Sequence, residues 1–283
     1  MTESTRGLQM RYYSSKPDKL QLLFDYIVDY ERKFFDGEIE GSDDWGNKRN
    51  PRTEIYAFAS FLYEFNGFPK ILTNEAFDGF NSAVIYHGLA KHEHGANYLW
   101  DPMYHMGHGN YGGGVYFSTN FDDASVFTCG LFKDDTKIIT AKLNTDKIIK
   151  YSVLEKIMQS LKLPNLNNNF SLAEDLNLRD DIKKRLVEFK TFFREKYREN
   201  RDDAWDFIYL LSQNISALGV VLGVDAIEND DRPDFYRGKH IIVLNREKLF
   251  VPEKCAKTIF EKSGGEYSNV NYQITELSQI NKI

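Results

Sequence analysis

The sequence predicts an α+β fold, in which helices precede a mostly antiparallel sheet and are also inserted into it. Residues 17–35 space their apolar side chains at helical intervals, and residues 178–200 do so again in the second half of the chain. The short apolar runs at residues 83–86, 137–143 and 240–244 are typical of strands. The 283 residues are enough for one large domain or two small ones.

The N-terminal part, residues 1–80, is predicted to be a helical region. Its first helix, at residues 17–35, is followed by a polar break. A second helix is expected at residues 53–65, because apolar residues there repeat at i, i+3 and i+4. A short helix at residues 74–77 then leads into a core that spans residues 81–251.

Helices are also predicted inside this core. Asp122 and Asp123 open a short helix with negative charge, which suits the positive end of the helix dipole. A helical insert is expected at about residues 150–200, and a further helix covers residues 203–218.

A glycine and two strands close the predicted core. Gly219 or Gly223 is expected to end the preceding helix, because glycine readily adopts the left-handed conformation that follows many helices. Strands are expected at residues 224–228 and 240–244. Residues 252–283 have weak periodicity and are predicted to form a C-terminal tail.

Composition narrows the classes of function. The chain has 36 basic and 42 acidic residues and a net charge of −6, which argues against nucleic-acid binding through phosphates. Cys129 and Cys255 form no disulfide framework, which favours a reducing compartment. The sequence has no apolar segment of the Sec type and no apolar run long enough to cross a membrane. We therefore expect no membrane contact, and a cytoplasmic protein or one delivered into a target cytosol by a specialised system.

The strongest functional signal lies between residues 84 and 124. Residues 86–88 read YHG at the end of an apolar run, and residues 112–118 read GGGVYFS. Glycine next to a strand lets the backbone approach a ligand, because no Cβ holds the ligand away. A histidine and a tyrosine delivered by two strands beside such glycines fit a pocket for a flat heteroaromatic ring. This pattern indicates a nucleotide site.

These residues resemble the NAD-dependent ADP-ribosyltransferases, in particular their diphtheria-toxin-like and phage-borne branch. That family carries an aromatic-(His or Arg)-Gly tripeptide, then a glycine-rich run ending in G-x-Y-F-[ST], then a late strand that closes the site. Residues 86–88 and 114–118 match the first two motifs. Residues 222–227 and 240–246 look like the closing strand pair. The resemblance covers approximately residues 70 to 250.

The resemblance implies a split antiparallel sheet sandwich with N-terminal helices and a helical insert. It also implies mono-ADP-ribosyl transfer from NAD to a side chain of a target protein, with release of nicotinamide. Bacterial and phage effectors and toxins share this architecture, so an effector-like enzyme is expected. The glycines follow no strand-to-helix G-x-G-x-x-G pattern, which argues against a Rossmann domain.

The resemblance also implies roles for individual residues. The backbone of Gly88 would pair with the carboxamide of nicotinamide, Tyr116 would stack on its ring, and His87 would bond to a ribose hydroxyl. The NAD-binding set implied in this way is His87, Gly88, Leu89, Gly114, Tyr116 and Ser118.

The chain departs from the family pattern at the acidic residue of the last motif. The family has a glutamate at the start of the last strand, where this chain has Lys239 or His240. Asp206, in the segment DDAWDF, is the first choice to replace it, and Asp225 is the second. His240 is a further candidate, as an atypical third-motif residue. Two more acidic residues lie in or beside the turn before the last strand: Glu228 and Asp234.

Two other interpretations remain open. Without the late glutamate, the protein could bind NAD without transferring ADP-ribose, or could hydrolyse NAD. Alternatively, histidines at H-x-H and H-x-x-H spacings could bind zinc or another transition metal, although no recognisable metalloenzyme motif contains them. The clustered histidines are His87, His92, His94, His105 and His108.

Overall fold

The computed structural model describes residues 18–36, 51–88, 99, 113–126, 138–161, 176–229, 237–262 and 274–275. Its helices are α1 (Lys19–Phe35), α2 (Pro51–Leu62), α3 (Asn74–Gly79), α4 (Phe121–Val126), α5 (Tyr151–Ser160), α6 (Asp180–Glu199), α7 (Arg201–Ser212), α8 (Ile215–Val221) and α9 (Glu253–Lys262). Its strands are β1 (Lys70–Leu72), β2 (Val84–Gly88), β3 (Val115–Ser118), β4 (Ile138–Leu143), β5 (Ile148–Lys150), β6 (Ala226–Asn229), β7 (His240–Val243), β8 (Leu249–Pro252) and β9 (Ile274–Thr275). The α+β class is confirmed.

The strands form one hydrogen-bonded sheet in the order β5-β6-β7-β3-β2-β4-β8-β1-β9. Five of the neighbouring pairs are antiparallel and three are parallel, so the sheet is mostly antiparallel, as predicted. The two halves of the sheet are joined by hydrogen bonds between β2 and β3. The split sandwich that the resemblance implies stays a prediction.

The short connection between β4 and β5 shows that this sheet cannot be flat. The two strands are five positions apart in the sheet order, which would separate them by about 24 Å in a flat sheet. The connection consists only of residues 144–147. A chain segment of that length spans at most about 18 Å between the strand ends. The sheet must therefore fold so that its two halves approach each other.

The sheet bends where β2 meets β3. These strands share one register pair, Tyr86 with Ser118, whereas β2 and β4 share five pairs and β3 and β7 share four. A single apolar cluster contains buried residues from both halves, so it packs between them. Its strand residues include Ile85, Ile139, Val115, Phe117, Ile241, Val243 and Leu249.

The other face of the β5-β6-β7-β3 half is covered by helices. Ile227, Ile242 and Leu244 from this half belong to the same apolar cluster as residues of α1, α2 and α5–α8. Phe24 of α1 contacts Phe207 of α7, with ring centroids 5.2 Å apart. The N-terminal helices and the helical insert therefore share one core with the sheet.

The predicted helix at residues 203–218 is wrong, because the structure has two helices there. Asn214 separates α7 from α8, and its side-chain oxygen accepts a hydrogen bond from the backbone N–H of Ala217, which starts the new helix. Gly219 lies inside α8, where a Cβ would come within 2.7 Å of Leu244 Cδ1. Gly223, with φ +75°, follows the end of α8, so the second of the two predicted stops is confirmed.

The predicted C-terminal tail also contains regular structure. It starts with the last residue of β8 and continues as α9. Sequence periodicity did not indicate β8, because its four residues are buried or half-buried on both faces and do not alternate.

Gly114→Ala is expected to lower the free energy of unfolding by at least about 2 kcal/mol. Gly114 has φ +121°, and an added Cβ would lie 2.7 Å from Ile242 Cγ2. Chemical denaturation of both proteins measures the loss. Gly79→Ala, at the exposed C-terminal residue of α3, is the matched control and is expected to be neutral or slightly stabilising. Equal losses in both variants would contradict the packing role of Gly114.

Candidate functional site

The three predicted motifs lie on neighbouring strands. The YHG motif ends β2, the GVYFS motif forms β3, and the third motif begins β7, and these strands are adjacent in the order β7-β3-β2. His87, Tyr116 and His240 therefore lie on adjacent strands, although more than a hundred residues separate the second motif from the third. The side chain of His87 is on the face of Phe117, whereas those of Tyr116 and His240 are on the other face.

His87 is held across the junction of β2 and β3. Its Nδ1 lies 2.6 Å from the carbonyl oxygen of Tyr116, and its ring centroid is 5.5 Å from that of Phe117. Because a carbonyl oxygen only accepts, Nδ1 must carry a proton and donate it. This contact fixes both the orientation and the tautomer of the imidazole. It joins His87 to the backbone of Tyr116, not to the tyrosine ring.

Gly88 is the last residue of β2 and is buried. It is paired with Ile138 of β4 on one side. On the other side, the register between β2 and β3 consists of Tyr86 and Ser118 alone among the described residues. The backbone edge of β2 beyond Tyr86 thus has no strand partner in β3 within the described part of the chain. Leu89, the next predicted site residue, lies outside the described residues.

The glycines before β3 have a packing role. A Cβ on Gly113 would lie 2.4 Å from Cδ1 of Tyr56, and one on Gly114 would press on Ile242. The hydroxyl of Tyr56 donates a hydrogen bond to the carbonyl oxygen of Leu244 at 3.1 Å, and burial raises the pKa of Tyr56 to about 12. Protein side chains, therefore, occupy the space that the absent Cβ atoms of these two glycines leave.

Tyr116, Ser118 and His240 share one face of the sheet. Tyr116 and Ser118 alternate along β3, and Ser118 is directly opposite His240 of β7. The half-buried ring of Tyr116 packs against the apolar cluster of the helical layer. Ser118 is buried, and its hydroxyl donates to Asp123 Oδ2 at 3.3 Å and accepts from the backbone N–H of Asn120 at 3.0 Å. The Ser118 hydroxyl is therefore part of a hydrogen-bond network in the protein.

Asp123 is a buried carboxylate, although its sequence context predicts only a favourable charge at a helix start. Besides Ser118, it accepts hydrogen bonds from the backbone N–H groups of Gly238 at 2.6 Å and Arg237 at 3.1 Å, which precede β7. Burial acts to raise the pKa of Asp123, but these hydrogen bonds and nearby His240 outweigh it, so the pKa lies below its ordinary value. An ionised carboxylate thus holds the segment that leads to the third motif.

Asp206 occupies a different environment from the motif strands. Its electrostatic neighbours are Asp202 and Asp203 of α7, and Arg32 and Glu31 of α1. Burial and the two neighbouring aspartates raise its pKa, although Arg32 opposes them. The structure therefore places Asp206 among acidic residues of the helical layer.

Two other acidic candidates, Asp225 and Glu228, have protein partners. Asp225 is buried and accepts hydrogen bonds from the Thr145 hydroxyl at 2.6 Å and from the Asn245 amide at 2.8 Å. The carboxylate of Glu228 lies 3.1 Å from the ammonium of Lys239. Asp234 lies outside the described residues. Asp225 thus joins the β4–β5 connection to the turn after β7.

The metal-site hypothesis falls mostly on undescribed residues: His92, His94, His105 and His108. The fifth histidine, His87, is in contact with protein groups at the β2–β3 junction. Within the ranges that the structure describes, no group of three or more histidine, cysteine or acidic side chains could hold a metal ion.

Asp123→Asn is expected to lower the free energy of unfolding at neutral pH by about 1–3 kcal/mol, because it weakens buried hydrogen bonds to a charged acceptor. The pKa of Asp123 is lower in the folded state than its ordinary value of 3.8. Its stabilising contribution is therefore complete above pH 3.8 and is lost as the pH falls through the lower folded-state pKa. Denaturation of both proteins across this range should show the difference between them shrinking in acid.

Asp122→Asn is the matched control for this experiment. Asp122 lies 3.6 Å from Arg237, and both side chains are largely exposed. Removing this charge is expected to change stability by less than about 1 kcal/mol. A loss at Asp122 as large as the loss at Asp123 would show that the net charge of α4, and not the buried hydrogen bonds, is responsible.

Comparisons with known proteins add no relative to this description. No protein-family model matches the chain, and neither a curated protein nor a solved structure shows significant similarity to it. Within the described ranges, every helix is too short or too polar to cross a membrane. The functional interpretation therefore depends on the motif residues and on the geometry of β2, β3 and β7.

Proposed function

We propose that this protein transfers ADP-ribose from NAD to a side chain of a target protein and releases nicotinamide. The observation that carries the proposal is the adjacency of the three motif strands, β2, β3 and β7. The sequence resemblance concerns the order and composition of the motifs. Their assembly on neighbouring strands is a separate property, and it supports the same conclusion.

The chemistry requires three things of the protein. Cleavage of the nicotinamide–ribose bond develops positive charge on the sugar while the ring departs as a neutral group. The site must hold the nicotinamide, position the ribose and stabilise the developing positive charge. Only groups that stabilise the transition state more than they stabilise bound NAD accelerate the reaction.

The residues at the β2–β3 junction suit the first two requirements. Gly88 has no side chain, so its backbone can pair with a carboxamide where the β2–β3 register has ended. The resemblance gives Tyr116 the stacking role, which would contribute roughly 0.5–1.5 kcal/mol beyond the buried area. The ring packs against the helical layer on the face opposite to His87, so stacking requires it to turn away from that cluster. The resemblance assigns His87 to a ribose hydroxyl, and its buried imidazole is oriented by the hydrogen bond from Nδ1 to the carbonyl oxygen of Tyr116.

In this proposal the third requirement falls on the ionised carboxylate of Asp123, which lies beside the start of β7. His240 stands at the third-motif position, directly opposite Ser118. The ionised carboxylate of Asp123 supplies negative charge near it. Asp206 and Asp225 remain alternatives for the acidic role. The net charge of −6 favours a protein acceptor over nucleic acid.

A second candidate function follows from the same departure from the family pattern. Because His240 replaces the late glutamate, the protein could bind NAD without transfer, or transfer ADP-ribose only to water. Incubation of the purified protein with labelled NAD and a cytosolic lysate separates these outcomes. Labelled protein supports transfer, and free nicotinamide without labelled protein supports hydrolysis. NAD binding without either signal supports a binding protein, and no NAD binding rejects all three.

His87→Ala and Tyr116→Ala are each expected to reduce nicotinamide release by orders of magnitude, because each removes a group that holds NAD in the reactive position. Tyr116→Phe keeps the ring and is expected to retain most activity. Tyr209→Ala, which removes an exposed tyrosine of α7, is the control for general effects. Circular dichroism must show that each variant is folded. Normal rates in folded His87→Ala and Tyr116→Ala proteins would remove both residues from the site.

His240→Ala and Asp206→Asn together distinguish the start of β7 from the helical layer as the place of the third motif. We expect His240→Ala to reduce transfer strongly, because it removes the side chain that is opposite Ser118 and close to the Asp123 carboxylate. Asp206→Asn is expected to remain folded, because it removes repulsion with Glu31, Asp202 and Asp203. We expect it to retain transfer, because Asp206 and these charged neighbours lie in α1 and α7 and not on a motif strand. The reverse result, with transfer lost only in Asp206→Asn, would assign the acidic role to the helical layer.

A further inference from the structure

A cavity of about 720 Å³ lies where the folded sheet meets α6 and residues 63–65, which follow α2. We call it the link cavity, because residues 144–147 of the β4–β5 connection form one of its walls. Arg185 of α6, Gly223 and Lys248 form other parts of its lining. Neither His87 nor Tyr116 is among its lining residues. Its volume is within the range of small-molecule sites.

The carboxylates of the link cavity are already engaged by protein groups. Glu64 lies 3.0 Å from the ammonium of Lys19. Asp146 pairs with Arg179, which lies outside the lining. Asp225 accepts hydrogen bonds from Thr145 and Asn245, as described above. Glu64 and Asp146 are therefore paired with cations, whereas the side-chain donors to Asp225 are neutral groups.

The basic side chains that line the link cavity form fewer ion pairs than its acidic side chains do. Within the described residues, neither Arg185 nor Lys248 forms an ion pair with a carboxylate. Lys147 does so, with Asp181 at 2.9 Å, and its hydrogen bond is the main cause that lowers the pKa of Asp181 to about 2. Arg185 and Lys248 thus supply two positive charges to the lining, against the carboxylate of Asp225, whose side-chain donors are neutral.

Gly223 holds the guanidinium of Arg185 at the cavity wall. A Cβ on Gly223 would lie 2.6 Å from Nη1 and 2.8 Å from Cζ of Arg185. The planar group therefore lies directly against the glycine backbone. Gly223 itself follows the end of α8 with φ +75°, so this backbone position is set by the helix terminus.

We propose that the link cavity binds the phosphate or pyrophosphate group of a small phosphorylated molecule. An arginine presents paired donors that match phosphate oxygens, and a lysine adds a point charge. Lys248 and the exposed amide of Asn144 lie in the same lining and supply further donors. This site is separate from the NAD site proposed at β2 and β3, and it does not depend on that proposal.

Titration calorimetry of the full chain with inorganic pyrophosphate tests the site. Binding is expected, and Arg185→Gln is expected to weaken it by about tenfold or more, because a charge-assisted bidentate contact is lost. Lys248→Gln is expected to weaken it as well. Neither substitution touches the apolar core, so both variants should keep the unfolding midpoint of the wild type in the absence of ligand.

Lys184→Gln is the matched control, because Lys184 is an exposed neighbour of Arg185 on α6 that does not line the cavity. It removes the same charge and is expected to leave pyrophosphate affinity unchanged. Equal weakening in Lys184→Gln and Arg185→Gln would show nonspecific attraction and overturn the proposal. Absence of binding at millimolar pyrophosphate would overturn it too. Loss of pyrophosphate binding in Arg185→Gln with normal nicotinamide release would distinguish this site from the NAD site.

Discussion

The connection between β4 and β5 is the constraint on which the rest of this structure depends. Residues 144–147 join two strands that are five positions apart in one sheet. A flat sheet would separate these strands by more than the connection can span. The sheet must bend, and it does so at the β2–β3 junction, where one register pair holds the two halves together. Apolar residues from both halves then bury each other.

Both proposed sites lie next to this bend or to the connection that requires it. At the junction, the register of β2 and β3 stops after Tyr86, and the side chain of His87 bonds to the Tyr116 backbone. A hydrogen bond made by a side chain thus replaces part of a strand ladder at the place where the motifs meet. At the other location, the tight β4–β5 connection forms a wall of the link cavity. The short β4–β5 connection is therefore related to both sites, because it forces the sheet to bend and also lines the link cavity.

Buried charge explains why the candidate site could be predicted only in part. The motifs identified His87, Gly88 and Tyr116, because residue type and spacing are visible in one dimension. Asp123 was interpreted only as a favourable charge at a helix start, since its partners, the N–H groups of Arg237 and Gly238, are more than a hundred residues away. The local segment DDAWDF favours Asp206 as the replacement for the late glutamate, whereas the neighbours of Asp206 on α1 depend on how the helices pack.

The sequence by itself determined the α+β class, the positions of most helices and strands, and the residues of the first two motifs, because helical periodicity, glycine and polar boundaries act over a few residues. Only the tertiary structure decided that the strands form one folded sheet, that Gly113 and Gly114 make room for Tyr56 and Ile242, and that Asn214 divides a predicted helix. Those features depend on contacts between residues distant in the chain. No local pattern records such contacts, because each partner alone is compatible with many environments.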